Sequence, residues 1–136
     1  MFTEIMIAPC GLDCSLCAHA QKEENPCPGC NGDNEHKPYF CAELCQVVKC
    51  PRRTGEGYRY CDECPEFPCE PIQELESRYR SQYPLKESPV ENLQLIRELG
   101  IEAFLAQERE RWTCQDCGGP VSVHTGACSK CGKSAC

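Results

Sequence analysis

Cys114-Gln-Asp-Cys117-Gly-Gly-Pro120 and Cys128-Ser-Lys-Cys131-Gly132 repeat one pattern, two cysteines separated by two residues and followed by glycine. A tight turn of this kind carries two thiols at its tip. Glycine after the second cysteine relieves the backbone, and neighbouring N–H groups can bond the sulfurs. Two such turns supply four sulfurs, the number that a tetrahedral ion takes. Val121-Ser-Val-His124, in the gap between them, reads as a short alternating strand, with His124 as strand filler rather than a donor.

The rest of the chain shows why such turns matter. It has 136 residues, a length for one domain with at most a small appendage, and 16 of them are cysteine. Leu, Ile, Val and Phe make up only about 17% of the chain, and the formal charge is −7. That combination usually fails to build a core. A domain of this size should bury roughly two-thirds of its unfolded surface, so the thiols must supply cohesion that the apolar residues do not.

Disulfides and metal are the two ways to do so. Met1 to Cys10 has no basic start and no apolar run of signal length, and nothing reaches the roughly 20 apolar residues of a membrane span. The expected location is therefore cytoplasmic, without a membrane, where thiols stay reduced. Five pairs with two intervening residues, Cys14/Cys17, Cys27/Cys30, Cys61/Cys64, Cys114/Cys117 and Cys128/Cys131, favour metal over disulfides.

The terminal pair of turns resembles a small two-knuckle zinc ribbon with Cys114, Cys117, Cys128 and Cys131 as ligands. A closed shell of four thiolates has no open position, so the ion there would be structural. Toward the N-terminus, local spacing favours Cys14, Cys17, Cys27 and Cys30 as one four-thiolate site. A second would take Cys61 and Cys64 with Cys45 and Cys50 or Cys69. Cys10 could replace a member of the first, and His19 or His36 could add nitrogen, although solvent exposure is the simpler reading of both histidines. About three zinc ions are expected in all, with Cys41 and Cys136 left as free thiols.

The spacing Cys10-x3-Cys14-x2-Cys17 also suits an iron–sulfur cluster somewhere in residues 10–69, and the Cys-Pro pairs at Cys50-Pro51 and Cys64-Pro65 keep that alternative open. The same spacing occurs in radical S-adenosylmethionine enzymes, but their parallel barrel needs far more chain. Taken together, Cys10-Gly-Leu-Asp-Cys14-Ser-Leu-Cys17, Cys27-Pro-Gly-Cys30, Cys45, Cys50 and Cys61-Asp-Glu-Cys64-Pro-Glu-Phe-Pro-Cys69-Glu70 resemble an uncharacterised cysteine-rich family, domain of unknown function 3795, over residues 5–80. The resemblance implies a metal-binding cysteine domain and no activity. Cys41 stands outside its pattern.

Between the cysteine-rich ends, residues 71–112 contain no cysteine and read as three helices. Pro71 with Ile72, Leu75 and Tyr79 predicts one to Ser81, Ser88-Pro89-Val90-Glu91 opens a second that Gly100 ends, and Ile101, Phe104, Leu105 and Trp112 mark a third. Ser81 to Glu87 reads as a joint. The expected architecture is a small metal-stabilised α+β fold. It comprises a cysteine-rich metal-binding domain (1–70), a helical segment packing on it (71–112) and a zinc-ribbon-like tail (113–136).

Charge then limits function. Residues 1–69 carry −5, residues 70–112 −3 and residues 113–136 +1. Three four-thiolate zinc sites would lower the total to about −13, which repels a phosphate backbone. Only Arg52-Arg53 with Tyr58-Arg59-Tyr60 interleaves basic and aromatic residues, and it reads as an exposed turn between cysteine pairs. No catalytic triad, phosphate loop or zincin motif is present, and no thioredoxin-like pattern surrounds the thiols. The leading expectation is a non-catalytic zinc module acting on a protein partner. The alternative is an iron–sulfur or thiol-redox protein that uses the N-terminal cysteines for electron transfer or sensing.

Overall fold

The structure is a computed structural model that describes residues 2–135. Cys136, expected as a leftover thiol, lies outside them. Among the described residues there are four α-helices: α1 (Pro51–Glu56), α2 (Glu70–Ser81), α3 (Pro89–Leu99) and α4 (Ile101–Trp112). Short 3₁₀ turns at Glu4–Met6, Cys14–Leu16 and Cys61–Glu63 and a π-turn at Phe40–Leu44 complete the regular structure. Among the described residues β pairing consists of four isolated antiparallel bridges, so the expected α+β fold is helical and irregular with bridges in place of a sheet. The Val121–His124 strand is reduced to a bridge from Val121 to Cys128, because a turn begins at Val123.

The three expected helices form with nearly the expected bounds. In α2, Pro71 sits in the first turn, where its missing N–H costs no hydrogen bond, and Ile72 and Leu75 are buried. Helix α3 starts at Ser88, whose Oγ accepts the Glu91 amide at 3.0 Å. The reciprocal half of a capping box comes from elsewhere. Glu76 of α2 accepts the Ser88 hydroxyl at 2.7 Å and the Val90 amide at 3.0 Å, so one helix's carboxylate caps the next. Gly100, at φ +86°, makes the corner into α4. The Ser81–Glu87 joint is pinned. The Glu87 amide donates to the Tyr79 carbonyl at 3.0 Å, Leu85 packs on the core, and the Glu87 side chain is buried beside Arg111 at 3.5 Å.

Helix α1 corrects the reading of Arg52-Arg53 as an exposed turn. It has no buried residue and hence no apolar stripe, but Pro51 opens it and Gly57, at φ +74°, closes it.

The core is divided into three small clusters rather than one large one. Phe2, Leu16, Trp112, Val121 and Val123 gather beneath the terminal cysteines. Ala8, Cys10, Cys45, Val47, Ile72 and Leu75 form the second, and Ile7, Phe104 and Leu105 the third. Helices α2 and α4 thus press onto the cysteine-rich segment, and Trp112 carries the chain into the terminal one.

Gly11 is where α3 meets the first cysteine turn. Its φ is +97°, and a Cβ there would lie 2.4 Å from the Pro89 carbonyl oxygen and 2.8 Å from Leu93 Cγ. Asn92 secures the approach by donating to the Gly11 carbonyl at 3.0 Å. Beside it Asp13, Glu87 and Glu108 are all buried. Asp13 accepts the Ser15 amide at 3.0 Å and the Ser15 hydroxyl. Burial, followed by the charges of Glu87 and Asp13, pushes Glu108 up to about 9, so that it is a neutral acid at physiological pH.

Candidate metal centres

The terminal turns are built alike. The Cys114 amide donates to the Gly119 carbonyl at 2.8 Å and the Gly118 amide to the Cys114 carbonyl at 2.9 Å. In the second turn Cys128 donates to Lys133 and Gly132 to Cys128, both at 2.9 Å. Gly118 and Gly132 occupy the same place in each, at φ +74° and +77°, which is the left-handed conformation expected of the glycine after the second cysteine. Amides then point at sulfur, from Gly119 to Cys117 and from Lys130 to Cys128, each at 3.4 Å.

The outcome is a group of four. Cys114 Sγ lies 3.7 Å from Cys131 Sγ, Cys117 Sγ lies 3.5 Å from Cys128 Sγ, and all four sulfurs fall within 4.8 Å of one another. A tetrahedral ion with bonds of about 2.3 Å needs sulfurs about 3.8 Å apart, so the group could hold a metal ion. Among the described residues no other set of three or more Cys, His, Asp or Glu closes this tightly.

Electrostatics favour the ionised form at two of the four. The Cys117 amide, with that of Asp116, holds Cys114 below the usual thiol range, and the Cys131 and Lys130 amides draw Cys128 down to about 6. At Cys131 the Lys133 amide also pulls down, but hydrogen bonding with the other thiols outweighs it and leaves the group at about 11. The backbone amides thus lower two of the four thiols before any cation arrives.

His124 stands apart from this group. Its Nδ1 accepts the Ala18 amide at 3.3 Å and its Nε2 meets the Tyr79 hydroxyl at 3.1 Å. Burial, with His19 nearby, depresses its basicity. The ring joins the terminal segment to α2 and the N-terminal segment. Val123 adds a backbone bond to the Leu16 carbonyl at 3.0 Å, and Gln21 donates to the Val121 carbonyl at 3.0 Å while accepting the Ser129 hydroxyl.

The N-terminal cysteines are arranged differently. Cys14 and Cys30 are in contact, Sγ to Sγ at 3.6 Å, and the Cys30 amide points at Cys14 Sγ at 3.4 Å. Cys10 and Cys45 are buried among Ala8, Val47, Ile72 and Leu75, with Cys14, Cys30, Cys61 and Cys69 against the same cluster. Cys17 has Cys27 and Cys30 as neighbours, and Cys41 has Cys30, Cys17, Cys45 and Cys27. Around Cys61 the neighbours are instead Cys69, Cys50 and Cys64. Cys61 and Cys69 rest on the same apolar cluster as Cys10 and Cys45, and Cys61 is also a neighbour of Cys10, so the N-terminal thiols form one continuous group and not separate sets.

Burial is the leading cause that raises Cys10, Cys17, Cys41 (to about 12) and Cys61 (to about 12); Cys14 is raised first by its contact with Cys30 and then by burial. Cys30 is the exception. The Cys14 contact lowers it to about 7 against burial, with help from Lys37 and Arg53.

The arginines near this segment are occupied within the chain. Arg53 donates to the Val47 and Val48 carbonyls at 3.2 and 2.7 Å, and Arg52 pairs with Glu66 at 3.2 Å. Arg59 donates to the Glu4 and Ile7 carbonyls at 2.7 and 2.9 Å, with its guanidinium 4.3 Å from the Tyr60 ring centroid. None of this was legible from the interleaving of arginine and tyrosine, which points outward to a ligand, whereas the acceptors are backbone carbonyls and the Glu66 carboxylate.

No helix among the described residues is long and apolar enough to cross a membrane. No curated protein and no solved structure matches the chain. The family described as "Protein of unknown function (DUF3795)" matches residues 6–74, from just before the first cysteine turn into α2 and just over half of the chain, and the chain belongs to that family.

Proposed function

We propose that the protein is a non-catalytic zinc-binding module, holding about three ions, that acts on a protein partner in the cytoplasm. The observation that carries this reading is the four-sulfur group of Cys114, Cys117, Cys128 and Cys131, all within 4.8 Å. Four thiolates suit Zn²⁺ and leave it no open position for a substrate. Its place above Trp112, Val121 and Val123 makes the ion a structural one. A protein partner is supported by the surface. Tyr39, Phe40 and Leu44 are exposed on and beside one π-turn, at 71%, 40% and 53%, and the net charge of −7 opposes nucleic acid.

Metal analysis of protein purified without oxygen tests the reading. Colourless protein with about three zinc ions per chain is the expected result. Brown, iron-loaded protein with broad absorption near ~400 nm would replace it with the iron–sulfur alternative for residues 10–69.

A further inference from the structure

Cys14 and Cys30 meet from two turns that the fold fixes independently. Cys14 opens the 3₁₀ turn Cys14–Leu16, whose cap is Asp13 accepting the Ser15 amide at 3.0 Å. Cys30 lies in a turn closed by the Gly32 amide on the Gly29 carbonyl at 3.0 Å. Asn31 pins that turn to the N-terminal segment by donating to the Ile5 and Ile7 carbonyls at 2.8 and 2.9 Å. Lys37 holds its other side, with Nζ on the Cys30 carbonyl and on Asn34 Oδ1, both at 3.0 Å. A Cβ at Gly29, whose φ is +89°, would crowd Met6 Sδ at 3.1 Å and Cys14 Cβ at 3.4 Å, so glycine is what brings the two turns together.

The two sulfurs stand 3.6 Å apart, and the Cys30 amide points at Cys14 Sγ at 3.4 Å. This contact differs in kind from the terminal ones. There each sulfur pair faces a second pair, whereas here, among the described residues, no third ligating group closes on the two as tightly. The pair falls short of the four ligands of a tetrahedral ion. It has the two sulfurs of a disulfide, which bond at about 2.05 Å, so that an approach of about 1.6 Å joins them. Both thiols are half-buried, open enough for a small oxidant.

We propose that Cys14 and Cys30 are a redox-reactive dithiol that a hydroperoxide converts to a disulfide. One sulfur attacks the outer oxygen of ROOH, the O–O bond breaks, and the alcohol ROH leaves with the thiol proton, so that the sulfur becomes a sulfenic acid. The second sulfur displaces its hydroxyl, which forms the S–S bond and releases water. Two thiols thus lose two electrons and two protons to one hydroperoxide, which ends as ROH and H₂O. The bond withdraws both sulfurs from the N-terminal thiols that the zinc reading gives to metal, so oxidant and ion compete for this pair. The proposal goes beyond the zinc reading, does not rest on it, and leaves the terminal four cysteines untouched.

The full chain, purified without oxygen and given one equivalent of hydrogen peroxide, tests the assignment. Thiol titration in denaturant should count two fewer than the sixteen cysteines of the sequence. Fragmentation of the alkylated digest should place the lost two in a Cys14–Cys30 link. A first link between any other two cysteines, or no link, overturns the proposal. Dithiothreitol should restore both thiols, and a loss that it does not reverse marks sulfinic acid in place of the disulfide and overturns it too. In Cys30→Ser the link cannot form, and dimedone should trap Cys14 as the sulfenic acid. If Cys14 of that variant instead pairs with Cys10 or Cys17 at the rate of the unaltered chain, contact with Cys30 does not direct the reaction and the proposal fails. Metal content of the same sample is read separately: iron would overturn the zinc reading, whereas a different oxidised pair would overturn this one.

Discussion

The terminal segment and the cysteine-rich N-terminal domain use the same side chain in opposite surroundings. In the first, sulfur is met by backbone amides, and Cys114 and Cys128 are drawn below the usual thiol range. In the second, Cys10, Cys14, Cys17, Cys41 and Cys61 sit where burial or a second thiol keeps them protonated. Two ways of preparing a thiol ligand follow. One lets the peptide stabilise the anion in advance; in the other, a cation would itself have to displace the proton. The difference also sets geometry, since the amide-supported sulfurs already stand at about the edge length of a tetrahedron and the others, apart from Cys14 and Cys30, do not.

The largest expected effect comes from removing the terminal ligands. In such peptides a structural zinc can be worth about 10–16 kcal/mol, and two of the four cysteines, Cys114 and Cys128, belong to a cluster shared with Phe2 and Leu16. C114S/C117S should therefore expose Trp112, the only tryptophan, and shift its emission to the red. A tryptophan that stays buried would show that apolar packing alone holds this end. Next comes Gly11→Ala, which forces a Cβ to 2.4 Å from the Pro89 carbonyl at a positive φ. It should cost about 3 kcal/mol in urea unfolding, since the N-terminal domain relies on close apolar contact.

Glu108→Gln reads the same contrast through pH. Glu108 is raised to about 9 in the fold, so the native state holds a proton that the unfolded chain releases above roughly pH 4.3. Its contribution is complete at low pH and is lost as pH climbs toward 9. The glutamine variant should flatten that fall in the urea midpoint between pH 5 and 9, and an unaltered slope would place the proton elsewhere. The smallest effect belongs to Gly118→Ala. Nothing lies within 4 Å of its added Cβ, and only the φ of +74° resists, for about 1 kcal/mol. If it cost more than Gly11→Ala, the contrast between amide-supported and contact-supported turns would be wrong.

Much of this was legible from residues alone, because the signals were local. Pro71, Ser88 and Gly100 fixed the bounds of α2, α3 and α4 through chemistry within a turn of each end, and Gly118 and Gly132 announced their own conformation. What escaped was either solvent-facing or distant in sequence. Helix α1 buries nothing, so no periodicity could reveal it. The cap on α3 comes from Glu76, twelve residues away from Ser88, and Arg53 spends its donors on carbonyls that have no sequence signature.

The cluster that joins Phe2 and Leu16 to Val121 and Val123 also imposes an order on biosynthesis. More than a hundred residues separate these partners, and at about 5–20 residues per second the ribosome needs roughly ten seconds to deliver the second half of the contact. All of the first eleven cysteines, Cys10 to Cys69, are synthesised before Val121 and Val123 arrive to close this cluster. The last segment to emerge thus closes a cluster whose other half, Phe2 and Leu16, is the first part of the chain to be made.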